Sequence, residues 1–125
     1  LLLEGALKRL AEEAWSAEQI KIVQVPGAIE IPLIAKLLAK SNKYQALICL
    51  GAVIRGETNH YDCVCSQVSE GCRQVMMSYE LPVIFGILTT ENEEQARARV
   101  GGKQGHKGRE AAEAALAMMQ VMQSL

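Results

Sequence analysis

The sequence predicts an α/β fold, a three-layer α/β/α sandwich in which helices cover both faces of a parallel, doubly wound sheet. Short apolar runs at residues 44–50 and 82–88 have the composition of strands that are buried on both faces. Segments with helical spacing of apolar residues alternate with these runs. Alternating strands and helices are typical of parallel sheets with right-handed crossovers.

The length, the hydrophobic content and the net charge of the chain restrict the class of protein to which it can belong. With 125 residues the chain is long enough for one domain, residues 1–125, and too short for a (β/α)₈ barrel. Half of the residues are hydrophobic and the net charge is −1, so nothing draws the protein to nucleic acid or a membrane surface. Since no apolar run reaches transmembrane length, we expect a cytoplasmic protein without nucleic-acid or membrane partners.

The first half of the chain predicts three elements. Residues 2–14 have helical spacing of apolar side chains, and residues 20–25 alternate apolar with polar residues as a half-exposed strand does. Pro26-Gly27 ends that strand. A helix follows over residues 28–40, with Pro32 in its first turn, where the missing N–H does no harm. Because a helix precedes any strand, we expect that a first strand is missing from this sequence.

The second half of the chain continues the alternation of predicted strands and helices. Its predicted elements are strand 44–50, helix 62–79, strand 82–88, helix 90–99, loop 101–108 and helix 109–123. Thr90 and Glu93 have the spacing of a capping box at the start of the fourth helix.

The turn after the first of the two buried-type strands, residues 51–62, contains unusual chemistry. It holds two glycines, a hydroxyl, an amide, a carboxylate, a guanidinium and one of the two histidines of the chain. Backbone N–H groups at a helix N-terminus bind anions, and His60 can move protons near neutral pH. The alternative is an ordinary strand-to-helix connection with a surface histidine.

A second candidate is the basic loop. Residues 101–108 contain four glycines and two lysines, and Arg99 and Arg109 flank them. This composition suits a phosphate-like anion, although the spacing is not that of a Walker A loop; a flexible basic loop is the alternative. Glu30 also follows a predicted strand, and it is either a ligand-binding carboxylate or a solvated first-turn residue. Together these segments predict a site for a small anionic ligand.

The four cysteines do not indicate a metal site. Cys49 lies in a buried-type strand, and no C-x-x-C pair or standard zinc spacing occurs among Cys63, Cys65 and Cys72. We therefore expect reduced, mostly buried thiols and no bound metal.

Four segments together resemble the lumazine synthase family, in the order of that family and over nearly the whole chain. They are residues 25–32 (VPGAIEIP), 51–62 (GAVIRGETNHYD), 82–90 (PVIFGILTT) and 99–108 (RVGGKQGHKG). The resemblance implies a flavodoxin-like sheet. It also implies condensation of 5-amino-6-(D-ribitylamino)uracil with 3,4-dihydroxy-2-butanone 4-phosphate to 6,7-dimethyl-8-ribityllumazine, phosphate and water, without metal or organic cofactor.

The resemblance also assigns site residues. His60 would be the catalytic acid/base. The ribitylaminouracil would contact Ala28, Ile29, Glu30, Ala52, Val53, Ile54 and Phe85. The butanone phosphate would contact Gly56, Glu57, Thr58, Arg99 and Lys107. Phe85 and Arg99 would reach the site from a neighbouring subunit, so the resemblance implies a homopentamer or a shell of sixty subunits. A plant member would be plastidic.

Three departures from the family pattern are visible. The first strand of the family, with the aromatic residue that covers the pyrimidine, is absent, and Asn59 stands where Pro, Ser or Thr is frequent. His106 replaces the usual Asn and is expected to add a titrating group beside the phosphate. Two other classes stay open: a flavodoxin-type binding module, which would need no histidine beyond its phosphate loop, and an assembly protein, which is compatible with catalysis.

Overall fold

The computed structural model describes residues 1–55, 60–102 and 105–125, and of His60 the backbone alone. The helices are α1 (Leu2–Glu12), α2 (Ile31–Lys40), α3 (His60–Tyr79), α4 (Glu93–Ala98) and α5 (Lys107–Gln123). The strands are β1 (Leu47–Ile54), β2 (Val83–Thr90), β3 (Val100–Gly102) and β4 (Gly105–His106). Single 3₁₀ turns lie at Ala17–Gln19 and Ala28–Glu30.

The predicted α/β class is confirmed. Strands β1 and β2 pair in parallel, with Leu47 opposite Val83 and Ile54 opposite Thr90. On one face of the sheet, β1 packs with α2 and α3 around Val68, which is fully buried. On the other face, Ile48 packs against the cluster that α1 and α5 form. The helices thus cover both faces of the sheet, as its apolar strands require.

The strand predicted at residues 20–25 is wrong. None of these residues pairs with a strand, and Ile22 and Val23 are exposed. Alternation of apolar and polar residues indicates only that one face of a segment is exposed to solvent. A strand also needs the edge of a neighbouring strand as its hydrogen-bond partner. In the described part of the chain, the sheet beside this segment consists of β1 and β2 alone.

The loop predicted at residues 101–108 is also wrong. Val100 pairs with His106 and Gly102 with Gly105 in an antiparallel hairpin, and α5 begins at Lys107. Gly101 and Gly105 have φ values of +100° and +84°, which favour glycine. The glycines that suggested a structureless loop therefore allow the backbone conformations of the two short strands.

Helix α4 begins differently from the prediction. Its N-cap is Asn92, whose Oδ1 accepts a hydrogen bond of 2.8 Å from the backbone N–H of Gln95. Thr90 ends β2 instead, and its hydroxyl donates to the Asn92 carbonyl oxygen. The predicted capping box of Thr90 and Glu93 is thus replaced by an asparagine cap two residues later, which satisfies the orphan N–H of Gln95.

The other bounds shift by a few residues. Strand β1 continues to Ile54, so that residues 51–54, predicted as part of a turn, belong to the sheet. Helix α3 begins at His60, two residues earlier than predicted, and Pro32 lies in the first turn of α2 as predicted. No helix in the described ranges is long and apolar enough to cross a lipid bilayer.

Candidate active site

The carboxyl ends of β1 and β2 form one rim of the sheet. Because the strands are parallel and in register, Ile54 and Thr90 end side by side, and the backbone N–H of Arg55 donates to the Thr90 carbonyl oxygen at 2.8 Å. Ala52 and Ile54 are exposed on this rim, and Val53 is half-buried against the core. In open α/β sheets ligands bind at this rim.

The turn that precedes α2 lies against the same rim. Residues Ala28–Glu30 contact β1 and α3, which places them next to the end of the first strand. Ala28 packs against the core, while the side chains of Ile29 and Glu30 are exposed. The structure therefore brings the two predicted uracil-binding segments together, with an apolar and a carboxylate side chain available to a ligand.

Phe85 does not join that group within one chain. It lies in the middle of β2, opposite Cys49, and is half-buried against the core. Thr90 at the rim lies five positions further along the strand, which corresponds to about 17 Å. Its predicted role therefore requires the rim of another subunit.

Arg99 and Lys107 lie together at a second cavity. This cavity has a volume of about 270 Å³ and is lined by Ile87, Leu88, Thr89, Arg99, Lys107 and Glu110. The hairpin brings the two cations together, because the backbone N–H of Lys107 donates to the Arg99 carbonyl oxygen at 2.6 Å. Among the described residues neither cation forms an ion pair, so both can bind an added anion.

Arg55 has a different environment on the same rim. One terminal nitrogen, Nη2, donates to Asp62 Oδ1 at 3.0 Å, and Nε lies 2.8 Å from Glu91 Oε2, without hydrogen-bond alignment. Its guanidinium also stacks over the ring of Tyr61, 4.5 Å from the centroid. The sequence analysis did not predict this role. The signal for it was an arginine at the end of β1, with Asp62 following along the chain and Glu91 following the end of β2.

The predicted catalytic and phosphate-binding turn is only partly described. His60 is the first residue of α3, at the positive end of the helix dipole. Gly56, Glu57 and Thr58 lie outside the described residues. The assignment of a proton-transfer role to His60 and of phosphate contacts to the turn stays a prediction.

His106 is not placed as the sequence suggested. It is the N-cap of α5, and its Nδ1 accepts a hydrogen bond from the backbone N–H of Arg109 at 3.4 Å. The ring lies directly over Gly5 of α1, where any Cβ would overlap it. The imidazole is therefore a packed helix cap, and its expected role beside the phosphate stays a prediction.

The buried cysteines form a contact in the core. The sulfurs of Cys49 and Cys72 are 4.0 Å apart, and Cys63 is exposed. The hydrogen bond with Cys72, together with burial, raises the pKa of the Cys49 thiol, so that thiol stays protonated at neutral pH. No group of three or more metal-ligating side chains occurs in the described ranges.

Comparison with known proteins identifies the family. The family model described as 6,7-dimethyl-8-ribityllumazine synthase matches residues 1–123. Three curated proteins named 6,7-dimethyl-8-ribityllumazine synthase, from the CbuG_Q212, RSA 493 / Nine Mile phase I and Dugway 5J108-111 strains of Coxiella burnetii, are each 60% identical over 124 residues. The alignments cover 99% of this chain and 82% of each relative. The chain therefore belongs to the 6,7-dimethyl-8-ribityllumazine synthase family of riboflavin-biosynthesis enzymes.

Proposed function

We propose that the chain condenses 5-amino-6-(D-ribitylamino)uracil with 3,4-dihydroxy-2-butanone 4-phosphate and releases 6,7-dimethyl-8-ribityllumazine, phosphate and water. The observation that carries this proposal is the cavity that Arg99 and Lys107 line, because it offers two cations that form no ion pair among the described residues, against the single carboxylate of Glu110. A phosphate ester that is first bound and then expelled needs such a cationic site. No metal or organic cofactor takes part in the proposal.

The uracil would bind at the sheet rim. The exposed side chains of Ala52 and Ile54 offer an apolar surface for its ring, and Glu30 offers a carboxylate that can accept hydrogen bonds from the hydroxyls of the ribityl chain. Phe85 would complete the ring pocket from another subunit. The amine of the uracil would then attack the ketone of the butanone phosphate to form an imine.

His60 would carry protons during these steps. Imine formation requires a proton for the departing water, and elimination of phosphate requires removal of a proton from carbon. His60 lies two positions after the predicted phosphate-binding residues Gly56, Glu57 and Thr58, so a base on this turn would lie close to the leaving group. His60→Ala should lower kcat by about 10²-fold, the low end for a positioned acid or base.

The half-sites imply a homopentamer, and a shell of sixty subunits is the larger alternative. Phe85 lies in mid-strand, away from residues 52–54 at the rim of the same chain, so we propose that each complete site joins two subunits. Sedimentation velocity distinguishes the two assemblies, since their masses differ twelvefold. A monodisperse monomer with full activity would contradict the shared site. We expect the assembly in the cytoplasm, or in the plastid in a plant.

The deciding experiment mixes the protein with both substrates and follows lumazine absorbance and released phosphate in parallel. We expect one phosphate per lumazine, and no release from the butanone phosphate alone above the rate without protein. Stoichiometric products that require the protein support the proposal. Binding of both substrates without turnover would leave a binding protein and contradict it.

A further inference from the structure

Two cysteines from neighbouring layers of the fold have their sulfurs in contact. Cys49 lies in β1 and Cys72 in α3, and their Sγ atoms are 4.0 Å apart. Both residues are buried, with exposed fractions of 6% and 3%, and both are free thiols. Neither has a part in the proposed reaction.

The surroundings of this pair are apolar. Val68 and Val75 lie about one turn before and one turn after Cys72 on α3, and Phe85 lies opposite Cys49 on β2. Among the described side chains, each thiol forms its hydrogen bond with the other thiol. A reactive form of either sulfur would therefore have the other sulfur as its neighbouring nucleophile, with valine and phenylalanine side chains around it.

A side-chain movement can bring the pair to bonding distance. A disulfide needs its sulfurs about 2.05 Å apart, so the present contact has to shorten by about 2 Å. Cysteine has a single torsion between its backbone and its sulfur, and rotation about this bond moves the sulfur over a comparable distance. The new bond would join the sheet to the helix layer on one of its faces.

The contact makes the two thiols chemically unequal. The hydrogen bond with Cys49 lowers the pKa of the Cys72 thiol, because a thiolate at Cys72 accepts the S–H of Cys49. The same hydrogen bond, together with burial, raises the pKa of the Cys49 thiol. Since the thiolate is the nucleophile, Cys72 is the sulfur that reacts first, and Cys49 is the thiol that reacts with the product.

We propose that Cys49 and Cys72 are a site of reversible oxidation by hydrogen peroxide, at which a disulfide forms between β1 and α3. The Cys72 sulfur first attacks one peroxide oxygen: an S–O bond forms, the O–O bond breaks, and the leaving hydroxide takes the proton of the Cys72 thiol. The Cys49 sulfur then attacks the Cys72 sulfur: the S–S bond forms, the S–O bond breaks, and the second hydroxide takes the Cys49 proton. Two thiols and one peroxide thus give one disulfide and two water molecules.

The burial of the pair determines which oxidant reaches it. Hydrogen peroxide is small and uncharged, so it can enter during local openings of the core. A bulky, charged disulfide such as oxidised glutathione cannot, and it would react with the exposed Cys63 instead. The disulfide would enclose residues 49–72 and with them the whole turn 51–62. The inference concerns the core and is independent of the proposed reaction.

The test uses the intact protein with Cys63→Ser and Cys65→Ser, so that the thiols left are those of the pair. Peroxide is added at an equimolar amount, the protein is unfolded and alkylated, and its peptides are mapped by mass spectrometry. We expect one peptide pair linked through Cys49 and Cys72, lighter by two hydrogens and separated by dithiothreitol. Oxidised glutathione should leave both thiols free to alkylate.

Two further single substitutions in this background test the order of the steps. In Cys49→Ala the sulfenic acid of Cys72 has no partner, so a dimedone adduct should form there. In Cys72→Ala the remaining thiol should be oxidised at least tenfold more slowly than the pair, because its pKa is raised. Circular dichroism shows that each variant is folded, and the mapping of the unsubstituted pair decides the matter if one is not.

Three results would overturn the proposal. Thiols that stay free after prolonged exposure to peroxide would show a packing contact alone. Separate sulfinic acids on the two cysteines, without a link, would show that the sulfurs cannot meet. A link to glutathione at either residue would show that the pair is open to bulky oxidants.

Discussion

Two arginines on neighbouring segments of the same rim have opposite surroundings. Arg55 is surrounded by Asp62, Glu91 and the ring of Tyr61. Arg99 is exposed, faces a cavity with Lys107, and has no ion pair among the described residues. The first guanidinium is already neutralised by protein carboxylates, so it holds segments together. The second retains its charge for an anion from outside.

The comparison shows that the partner of a cation, more than its residue type, indicates its role. The sequence placed both arginines next to glycine-rich turns and offered no way to rank them. Because Asp62 and Glu91 already contact Arg55, a substrate phosphate would have to displace carboxylates whose negative charge also repels it, so Arg55 is poorly placed to bind that phosphate. Arg99 makes no such exchange and can bind phosphate directly.

The largest effect should follow Arg99→Ala. Two charge-assisted hydrogen bonds to a phosphate contribute about 1.5–3 kcal/mol each, so kcat/KM for the butanone phosphate should fall by about 10²–10⁴-fold, more than in His60→Ala. Arg99→Lys should recover part of this loss, because an ammonium lacks the planar fork. Steady-state kinetics at saturating uracil measures both.

The matched control is Arg97→Ala on the same helix. Arg97 is exposed and pairs with Glu93 one turn earlier, an ion pair of the kind that contributes little. Its loss should leave kcat/KM within twofold. If Arg97→Ala were the damaging change, the assignment of the phosphate cation would be wrong.

Lys107→Ala should have a smaller effect than Arg99→Ala. The ammonium is a single point charge on a flexible stem, and its backbone N–H, which bonds the Arg99 carbonyl, survives the substitution. We expect KM for the butanone phosphate to rise about tenfold while kcat changes little. A fall in kcat with constant KM would instead indicate a role in the chemical step.

Arg55→Met should affect stability more than substrate capture. Exposed ion pairs contribute about 0.2–1 kcal/mol each, so losing the contacts to Asp62 and Glu91 should lower the free energy of unfolding by about 1 kcal/mol. Urea denaturation measures this, with Arg73→Met, whose partner Glu70 lies on its own helix, as the control. An unchanged stability with a large rise in KM would reverse the roles of Arg55 and Arg99.

The smallest effect concerns a paired arginine on the opposite face of the sheet. Arg109 donates two hydrogen bonds, of 2.8 and 2.9 Å, to Glu12 and joins α5 to α1. These bonds lower the pKa of the Glu12 carboxyl. A lowered folded-state pKa gives stability that is present above the unfolded value, about 4.3, and is lost as the pH falls through the folded value.

Thermal unfolding at several pH values tests this. The wild-type protein should melt slightly above Glu12→Gln at pH 7, and the difference should vanish as the pH falls below about 4. The effect should be small because both side chains are exposed and solvent screens the pair. A difference that persists at pH 2.5 would contradict the ionic origin.

Local signals in the sequence predicted part of the fold well. The apolar runs that became β1 and β2 need only a buried environment, and Cys49 is buried as its position in such a run predicts. Residues 20–25 have an equally clear alternation, but pairing depends on a distant edge that no local pattern reports. Their strand prediction failed for that reason.

The same contrast between local patterns and distant contacts separates the site residues that the sequence predicted from those that it did not. The basic composition of residues 99–108 predicted an anion site, and the structure adds the hairpin that brings Arg99 and Lys107 together. The N-cap role of His106 was not predicted because histidine is outside the usual N-cap residues, and its contact with Gly5 joins positions about 100 residues apart. The partners of Arg55 were invisible for a similar reason, since Glu91 follows a different strand.

The hydrogen bond between the Lys107 N–H and the Arg99 carbonyl oxygen closes the base of the hairpin. Residues inserted between Gly102 and Gly105 should leave the spacing of the two cations unchanged, because this hydrogen bond and the pairing of Val100 with His106 both lie outside the insertion. This position could therefore receive a foreign peptide, or differ in length between relatives, at little cost to anion binding.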